Sequence, residues 1–269
     1  MAFVPVKRLA LELDGTHLDC VRFGGGEKTL ILIPGLSLQG VRGAALPLAL
    51  SYRIFSKTHT VYVFDKKAAV PEGYAIRDLA GDLAAAMDRL GLAHADVFGV
   101  SQGGMIAQRL AIERPELVRR LVLGVTASRT NPVMEEAVGD WIGMARRGDY
   151  RALILDMFPR MYSEGYLKRY QPLLPLLTRV GKPRDFGRFI ALARACLTCD
   201  TYEELHKITC PVLVLGASED RVVTGAASEE IAARLSCALH MYQGLGHAAY
   251  EEAPDFNRRV LRFLCDSAS

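Results

Sequence analysis

Several features that would assign this 269-residue chain to other protein classes are missing from its sequence. No apolar run approaches the roughly 18 residues of a membrane-spanning helix, and the first six residues lack the pattern of an export signal. The formal net charge is only +3, and the basic pairs are scattered rather than clustered as in a nucleic-acid-binding protein. These absences predict a soluble, cytoplasmic protein with neither a nucleic acid nor a membrane as partner.

Cysteine is present, but not in the pattern of a metal site or a disulfide framework. Six cysteines lie mostly inside apolar segments, and only Cys196 and Cys199 form a C-x-x-C. A zinc site needs a second such pair or paired histidines, and this segment is helical in character rather than a redox strand-to-helix turn. We therefore expect reduced core cysteines, no metal and no cofactor.

The chain alternates predicted strands with predicted helices. Residues 7–13 and 17–23 alternate apolar and polar on either side of Asp14-Gly15, which is a hairpin signal. Helical segments separate most of the later predicted strands, which cover residues 29–33, 60–64, 95–100, 120–125, 211–216 and 238–242. This alternation predicts an α/β fold with a mostly parallel, doubly wound sheet and an antiparallel N-terminal edge.

One long segment breaks that rhythm. Residues 129–205 contain helix-like pieces punctuated by prolines and no convincing strand. We interpret them as a helical cap inserted into a core formed by residues 1–128 and 206–269. Five of its apolar side chains could line a substrate pocket, pack among themselves or form a homodimer interface: Trp141, Met144, Phe158, Met161 and Tyr162.

A serine stands at the junction between a predicted strand and a predicted helix. Gly99, Ser101 and Gly103 have G-x-S-x-G spacing, in which the small residues allow a sharp turn that lifts the serine hydroxyl clear of the sheet. The helix that follows would direct the N–H of Gln102 toward an oxyanion formed at the serine. Ser101 is therefore the candidate nucleophile, and an ordinary glycine-rich turn is the alternative.

Partners for such a serine are found near the C-terminal end of the sequence. A nucleophilic serine needs a base, and the base needs a group that fixes its tautomer. The loop after the last predicted strand offers His247, and the loop after residues 211–216 offers Asp220 beside Glu219. The spacing favours Asp220 over Glu219, and the order of serine, aspartate and histidine is that of an α/β-hydrolase triad.

At these residues the chain resembles the α/β-hydrolase fold family, and in particular capped serine hydrolases such as carboxylesterases, enol-lactonases and cofactor-free haloperoxidase relatives. The resemblance implies a catalytic Ser101, Asp220 and His247, with an oxyanion hole formed by the backbone N–H groups of Leu36 and Gln102. Two segments depart from the family pattern. Pro34-Gly35 replaces the usual His-Gly of the oxyanion loop, and Lys66-Lys67 replaces an arginine-and-glycine turn.

These features together predict the function. We expect a serine hydrolase that cleaves a carboxylic ester or lactone of a small molecule through an acyl-enzyme on Ser101. A ligand-binding homologue with slow or no turnover, and an acyltransferase with the same triad, are the alternatives. Ser101, Asp220 and His247 do not determine whether the bond cleaved is an ester, a lactone, a thioester or a carbon-carbon bond.

Overall fold

The computed structural model describes residues 5–266, which form a single eight-stranded sheet with helices on both faces. The strands lie in the order β1-β2-β4-β3-β5-β6-β7-β8. Their bounds are β1 Lys7–Leu13, β2 Thr16–Gly24, β3 Lys28–Ile33, β4 His59–Lys67, β5 Ala95–Val100, β6 Val118–Gly124, β7 Val212–Ala217 and β8 Ala238–Tyr242. This arrangement confirms the predicted fold class.

The N-terminal edge of the sheet is antiparallel, as the hairpin signal predicts. β1 and β2 pair antiparallel around Asp14 and Gly15, whose φ angles of 47° and 76° are those of a tight hairpin turn. β2 also pairs antiparallel with β4, whereas all pairs from β4 to β8 are parallel. The carboxyl ends of β3 to β8 therefore meet at one edge of the sheet, where ligands of parallel α/β proteins bind.

Two hydrophobic cores, one on each face, hold the helices to the sheet. Every residue of β5 is buried, because helices cover both of its faces. Phe256, Val260 and Leu264 form the buried stripe of the last helix. The helices are α1 Ala45–Ser51, α2 Ile76–Arg89, α3 Gln102–Glu113, α4 Pro132–Arg146, α5 Tyr150–Met161, α6 Glu164–Tyr170, α7 Leu174–Leu177, α8 Gly187–Cys196, α9 Gly225–Leu235, α10 Ala249–Glu252 and α11 Phe256–Cys265.

The predicted end of β4 is wrong. β4 continues through Lys67, three residues beyond its predicted end, since the Lys67 ammonium pairs with Asp14 at 2.7 Å and with Asp82 at 2.6 Å and can therefore be buried. The last helix begins at Phe256, and a separate short helix, α10, precedes it.

Helices α4 to α8 form the segment between β6 and β7. The two ends of this helical segment meet at an isolated bridge between Arg129 and Asp200, and the Thr201 N–H donates to the Ser128 carbonyl at 2.7 Å. Near the same end of the segment, the Thr198 hydroxyl accepts a 3.0 Å hydrogen bond from the N–H of Ile76, the first residue of α2. Across residues 5–266, no helix is long and apolar enough to cross a membrane.

Candidate active site

Ser101 occupies a strained turn between β5 and α3. Its φ of 54° and ψ of −121° are unusual for a residue with a side chain, and its N–H donates to the Gly124 carbonyl at 2.9 Å. A Cβ at Gly99 would lie 2.3 Å from the Gly103 carbonyl oxygen, and a Cβ at Gly103 would lie 1.9 Å from that of Ile33. Both glycines are therefore required for the chain to close around the serine.

His247 approaches Ser101 from the loop that follows β8. Its Nε2 lies 2.9 Å from the Ser101 Oγ, and the imidazole is almost fully buried. The main chain of α5 supports this loop: the Met161 carbonyl accepts a 2.7 Å hydrogen bond from Ala248, and a Cβ at Gly246 would lie 2.6 Å from the same oxygen. The histidine is consequently held from the side of the helical segment as well as from the sheet.

Asp220 lies on the opposite side of the imidazole, in the loop after β7. Its Oδ2 is 2.8 Å from His247 Nδ1, and its Oδ1 accepts hydrogen bonds from the N–H groups of Val222 at 2.8 Å and Val223 at 3.0 Å. Three hydrogen bonds fix this buried carboxylate in one orientation, facing the imidazole. Glu219 is exposed, and the structure brings Asp220, not Glu219, to the histidine.

The expected oxyanion donors lie on two segments beside the serine. A Cβ built on Gly35 would be 3.2 Å from the Ser101 Cβ, so the loop that carries Leu36 passes directly beside the nucleophile. Gln102 is the first residue of α3, where the backbone N–H groups have no carbonyl of a preceding turn to bind. The two segments that carry these N–H groups therefore run beside the serine.

The Gln102 side chain has a contact that sequence reasoning missed. It is fully buried, and its Nε2 donates to the Leu192 carbonyl at 2.6 Å and lies 3.1 Å from the Cys196 Sγ. Since Leu192 and Cys196 belong to α8, this amide joins the start of α3 to the helical segment. No local sequence pattern indicates a contact between residues 90 or 94 positions apart.

Lys66, one of the two departures from the family pattern, has contacts that the sequence did not predict. Its ammonium donates to the carbonyl oxygens of Pro34 at 2.6 Å and Gly35 at 2.8 Å, and the residue is only 6% exposed. Burial lowers the pKa of the lysine to about 8. Arg188 of α8 covers it, donating to the Lys66 carbonyl at 2.9 Å and to the Asp65 carboxylate at 2.8 Å.

A cavity of about 320 Å³ lies between the loop after β3 and helix α5. Leu36 lines it together with three of the expected pocket residues: Phe158, Met161 and Tyr162. The Tyr162 hydroxyl donates to the Glu251 carboxylate at 2.6 Å, and burial together with that carboxylate raises the pKa of the tyrosine. The Tyr162 hydroxyl therefore stays neutral. The residue forms part of the cavity wall.

The other two expected pocket residues do not line this cavity. Trp141 is 3% exposed, and its Nε1 donates to the Asp156 carboxylate at 2.9 Å. Met144, also on α4, packs against the buried cluster beneath the helical segment. α4 packs against α5 and α8, with Trp141 buried and Met144 half-buried.

Similarity to known proteins identifies the family of this chain. A model of the alpha/beta hydrolase family matches residues 30–258. The chain is 30% identical over 226 residues to RutD of Variovorax paradoxus, provisionally named a carbamate hydrolase, with 77% of this chain and 81% of that protein covered.

Two solved structures have the same fold. MGS-M2, an alpha/beta hydrolase enzyme from a Medee basin deep-sea metagenome library, is similar with a TM-score of 0.88 and 22% identity, over 97% of this chain and 98% of that one. The enol-lactonase of Burkholderia xenovorans LB400 is similar with a TM-score of 0.83 and 24% identity, over 96% of this chain and all of that one (100%). The family match and the name of the Variovorax relative support a hydrolase activity. The chain belongs to the alpha/beta hydrolase family.

Proposed function

We propose that this protein is a serine hydrolase that cleaves an ester-like bond of a small molecule through an acyl-enzyme on Ser101. The observation that carries the proposal is a continuous chain of hydrogen bonds, from the Ser101 Oγ to His247 Nε2 at 2.9 Å and from His247 Nδ1 to Asp220 Oδ2 at 2.8 Å. A hydroxyl, an imidazole and a carboxylate in series are the arrangement that activates a serine at neutral pH.

Acylation begins at the serine hydroxyl. His247 Nε2 takes the hydroxyl proton while the Ser101 Oγ attacks the substrate carbonyl carbon, and Asp220 stabilises the resulting imidazolium. The carbonyl oxygen becomes an oxyanion that accepts hydrogen bonds from the Leu36 and Gln102 N–H groups. When the intermediate collapses, the bond to the leaving alcohol breaks and His247 gives that oxygen the proton.

Deacylation repeats the same proton transfers with water. His247 takes a proton from a water molecule, the hydroxide adds to the acyl carbon, and the Ser101 Oγ leaves with the proton that His247 returns. The free acid is released and the serine hydroxyl is restored. In a lactone the alcohol and the acid remain one molecule, so a single ring-opened product forms.

Substrate choice would depend on the helical segment, which we propose to be a cap on a core of residues 1–128 and 206–269. The cavity beside Leu36 has a largely apolar wall from α5, which suits the acyl chain of an ester or the ring of a lactone. Since similar proteins are named for carbamate and lactone hydrolysis, a substrate panel should include both carbamates and lactones.

The test is an activity panel combined with one active-site variant. Wild-type protein should hydrolyse p-nitrophenyl esters, lactones or aryl carbamates and should react with a fluorophosphonate probe. Ser101→Ala should lower kcat by about 10³- to 10⁶-fold and abolish labelling, because the three residues act as a unit. Ser228→Ala is the matched control: this buried serine on α9 lies outside the hydrogen-bonded series, and its loss should leave activity unchanged.

Two outcomes would contradict the proposal. A Ser101→Ala protein that keeps more than a few per cent of the activity would mean that another group is the nucleophile. A wild-type protein that turns over no member of the panel and labels poorly would favour a ligand-binding role instead.

A further inference from the structure

The inference concerns Lys66 and rests on the proposed function. Lys66 is buried at the end of β4, and its ammonium donates to two consecutive carbonyl oxygens, those of Pro34 and Gly35. A lone buried ammonium is unfavourable unless strong hydrogen bonds compensate for lost hydration. Among the described residues, its side chain forms no salt bridge, so the two carbonyls are its main compensation.

The neighbouring lysine has a different environment. The Lys67 ammonium reaches the carboxylates of Asp14 and Asp82 and the hydroxyl of Tyr74, all remote in sequence from the oxyanion loop. That set of contacts is typical of a structural ion pair, and it makes no bond to the loop after β3. Two adjacent buried lysines thus offer a comparison in which only Lys66 touches the loop beside Ser101.

Peptide geometry links the Lys66 ammonium to the proposed oxyanion hole. The Gly35 carbonyl and the Leu36 N–H belong to one planar peptide group, and no peptide bond in the described part of the chain is cis. In a trans peptide the C=O and N–H bonds point in opposite directions. Holding the Gly35 oxygen at 2.8 Å on the Lys66 side therefore directs the Leu36 N–H to the opposite side of the loop.

We propose that Lys66 is a positioning residue of the oxyanion hole, whose ammonium holds the Pro34 and Gly35 carbonyls so that the Leu36 N–H stays aimed at the oxyanion formed on Ser101. Pro34 cannot donate a backbone hydrogen bond and Gly35 has no side chain, so the loop itself has few means of fixing that peptide. Lys66 supplies the constraint from outside the loop. It acts before the reaction, as preorganisation, and does not touch the substrate.

The experiment compares Lys66→Met with Lys67→Met on the best ester of the panel. Removing one oxyanion donor outright lowers kcat by about 10²- to 10³-fold, so loosening one donor should lower it by about 10- to 100-fold, with KM changed little. A trifluoromethyl ketone inhibitor, whose hemiketal oxyanion would occupy the same position, should lose affinity by a similar factor. Lys67→Met should lower the melting temperature but leave kcat and inhibitor affinity near wild type.

A lysine that merely fills space at the end of β4 would give another pattern. Lys66→Met would then lose stability while keeping kcat and inhibitor affinity, and that result would overturn the inference while the proposed function still stood. If Ser101→Ala kept its activity, the proposed function itself would fail. The two failures are therefore distinguishable.

A second measurement covers the case in which Lys66→Met does not fold. Lys66 faces the Asp65 carboxylate, the Arg188 guanidinium and the Cys196 thiol, whose pKa is raised to about 12 by burial. With the pKa of Lys66 near 8, wild-type kcat should decline between about pH 7 and about pH 10, because the neutral amine forms weaker hydrogen bonds to the two carbonyls than the ammonium does. Lys66→Arg should not show this decline, since a guanidinium stays charged. A flat wild-type profile, or an equal decline in Lys66→Arg, overturns the inference.

Discussion

Trp141 and Phe158 allow a paired test of how the helical segment contributes to specificity. Both are large aromatic residues of adjacent helices, but Phe158 lines the cavity beside Leu36 whereas Trp141 is buried against α5 and hydrogen-bonded to Asp156. Each is replaced by alanine, and kcat/KM is measured across p-nitrophenyl esters of increasing acyl length. The melting temperature of each preparation is measured by circular dichroism.

The two substitutions should have different effects, one on substrate preference and the other on stability. Phe158→Ala removes a contact only from acyl chains long enough to reach it, at about 1 to 3 kcal/mol, so kcat/KM should fall about 5- to 150-fold for those esters and little for acetate. Trp141→Ala leaves a buried cavity and removes the hydrogen bond to Asp156. It should cost about 3 to 5 kcal/mol of stability, which corresponds to a melting temperature lower by about 6 to 20 °C.

Other results would contradict these roles of Phe158 and Trp141. If Phe158→Ala lowers kcat/KM equally for every ester, the cavity beside Leu36 does not receive the acyl chain. If Trp141→Ala changes chain-length preference without loss of stability, its buried position does not describe its role. A change confined to molecular mass by light scattering would instead make the segment an interface between copies of the chain.

Three further outcomes are expected. Asp220→Asn should lower kcat by up to about 10⁴-fold through the wrong histidine tautomer, while the exposed Glu219→Gln should lower it by less than about tenfold; the reverse ranking in steady-state assays would reassign the acid. Gly103→Ala should abolish activity, because its Cβ would lie 1.9 Å from a backbone oxygen, whereas Gly139→Ala, with nothing within 4 Å, should raise stability to urea slightly. Hydrogen bonds from a lysine and an arginine lower the pKa of the partly exposed Glu204 to about 2, so Glu204→Gln should reduce the free energy of unfolding by at most about 1 kcal/mol at pH 7. In urea titrations that difference should shrink as the pH falls from 4.5 toward 2, where the wild-type carboxylate also becomes neutral.

Local patterns predicted the elements that carry the proposed chemistry. Helix α3 runs from Gln102 to Glu113, because a glycine-rich turn begins it and Pro115 follows its end, and both signals are local. The loops that carry Asp220 and His247 also follow predicted strands. Parallel strands bring their carboxyl ends to one edge, so chain order and topology were sufficient to suggest that these side chains meet there.

Contacts between distant segments could not be predicted from one sequence. Charged residues after an apolar run usually indicate a loop, yet Lys66 and Lys67 continue β4 because carbonyls and carboxylates from other elements compensate for their burial. The buried Gln102 amide and the position of Trp141 likewise depend on how α8 and α4 pack. Composition indicated that the helical segment was apolar but not which of its faces met the cavity.

The contact between Met161 and the histidine loop also bears on how this fold can diversify. Met161 lines the cavity, but it holds the loop with its carbonyl, a group that every amino acid carries. Mutation at this position can therefore alter which substrates fit while the support of His247 is inherited unchanged. The opposite constraint applies at Gly246, where any side chain would collide with that carbonyl. Substitutions at position 161 on the helix can therefore change the substrate range, whereas substitutions at position 246 on the loop cannot be tolerated.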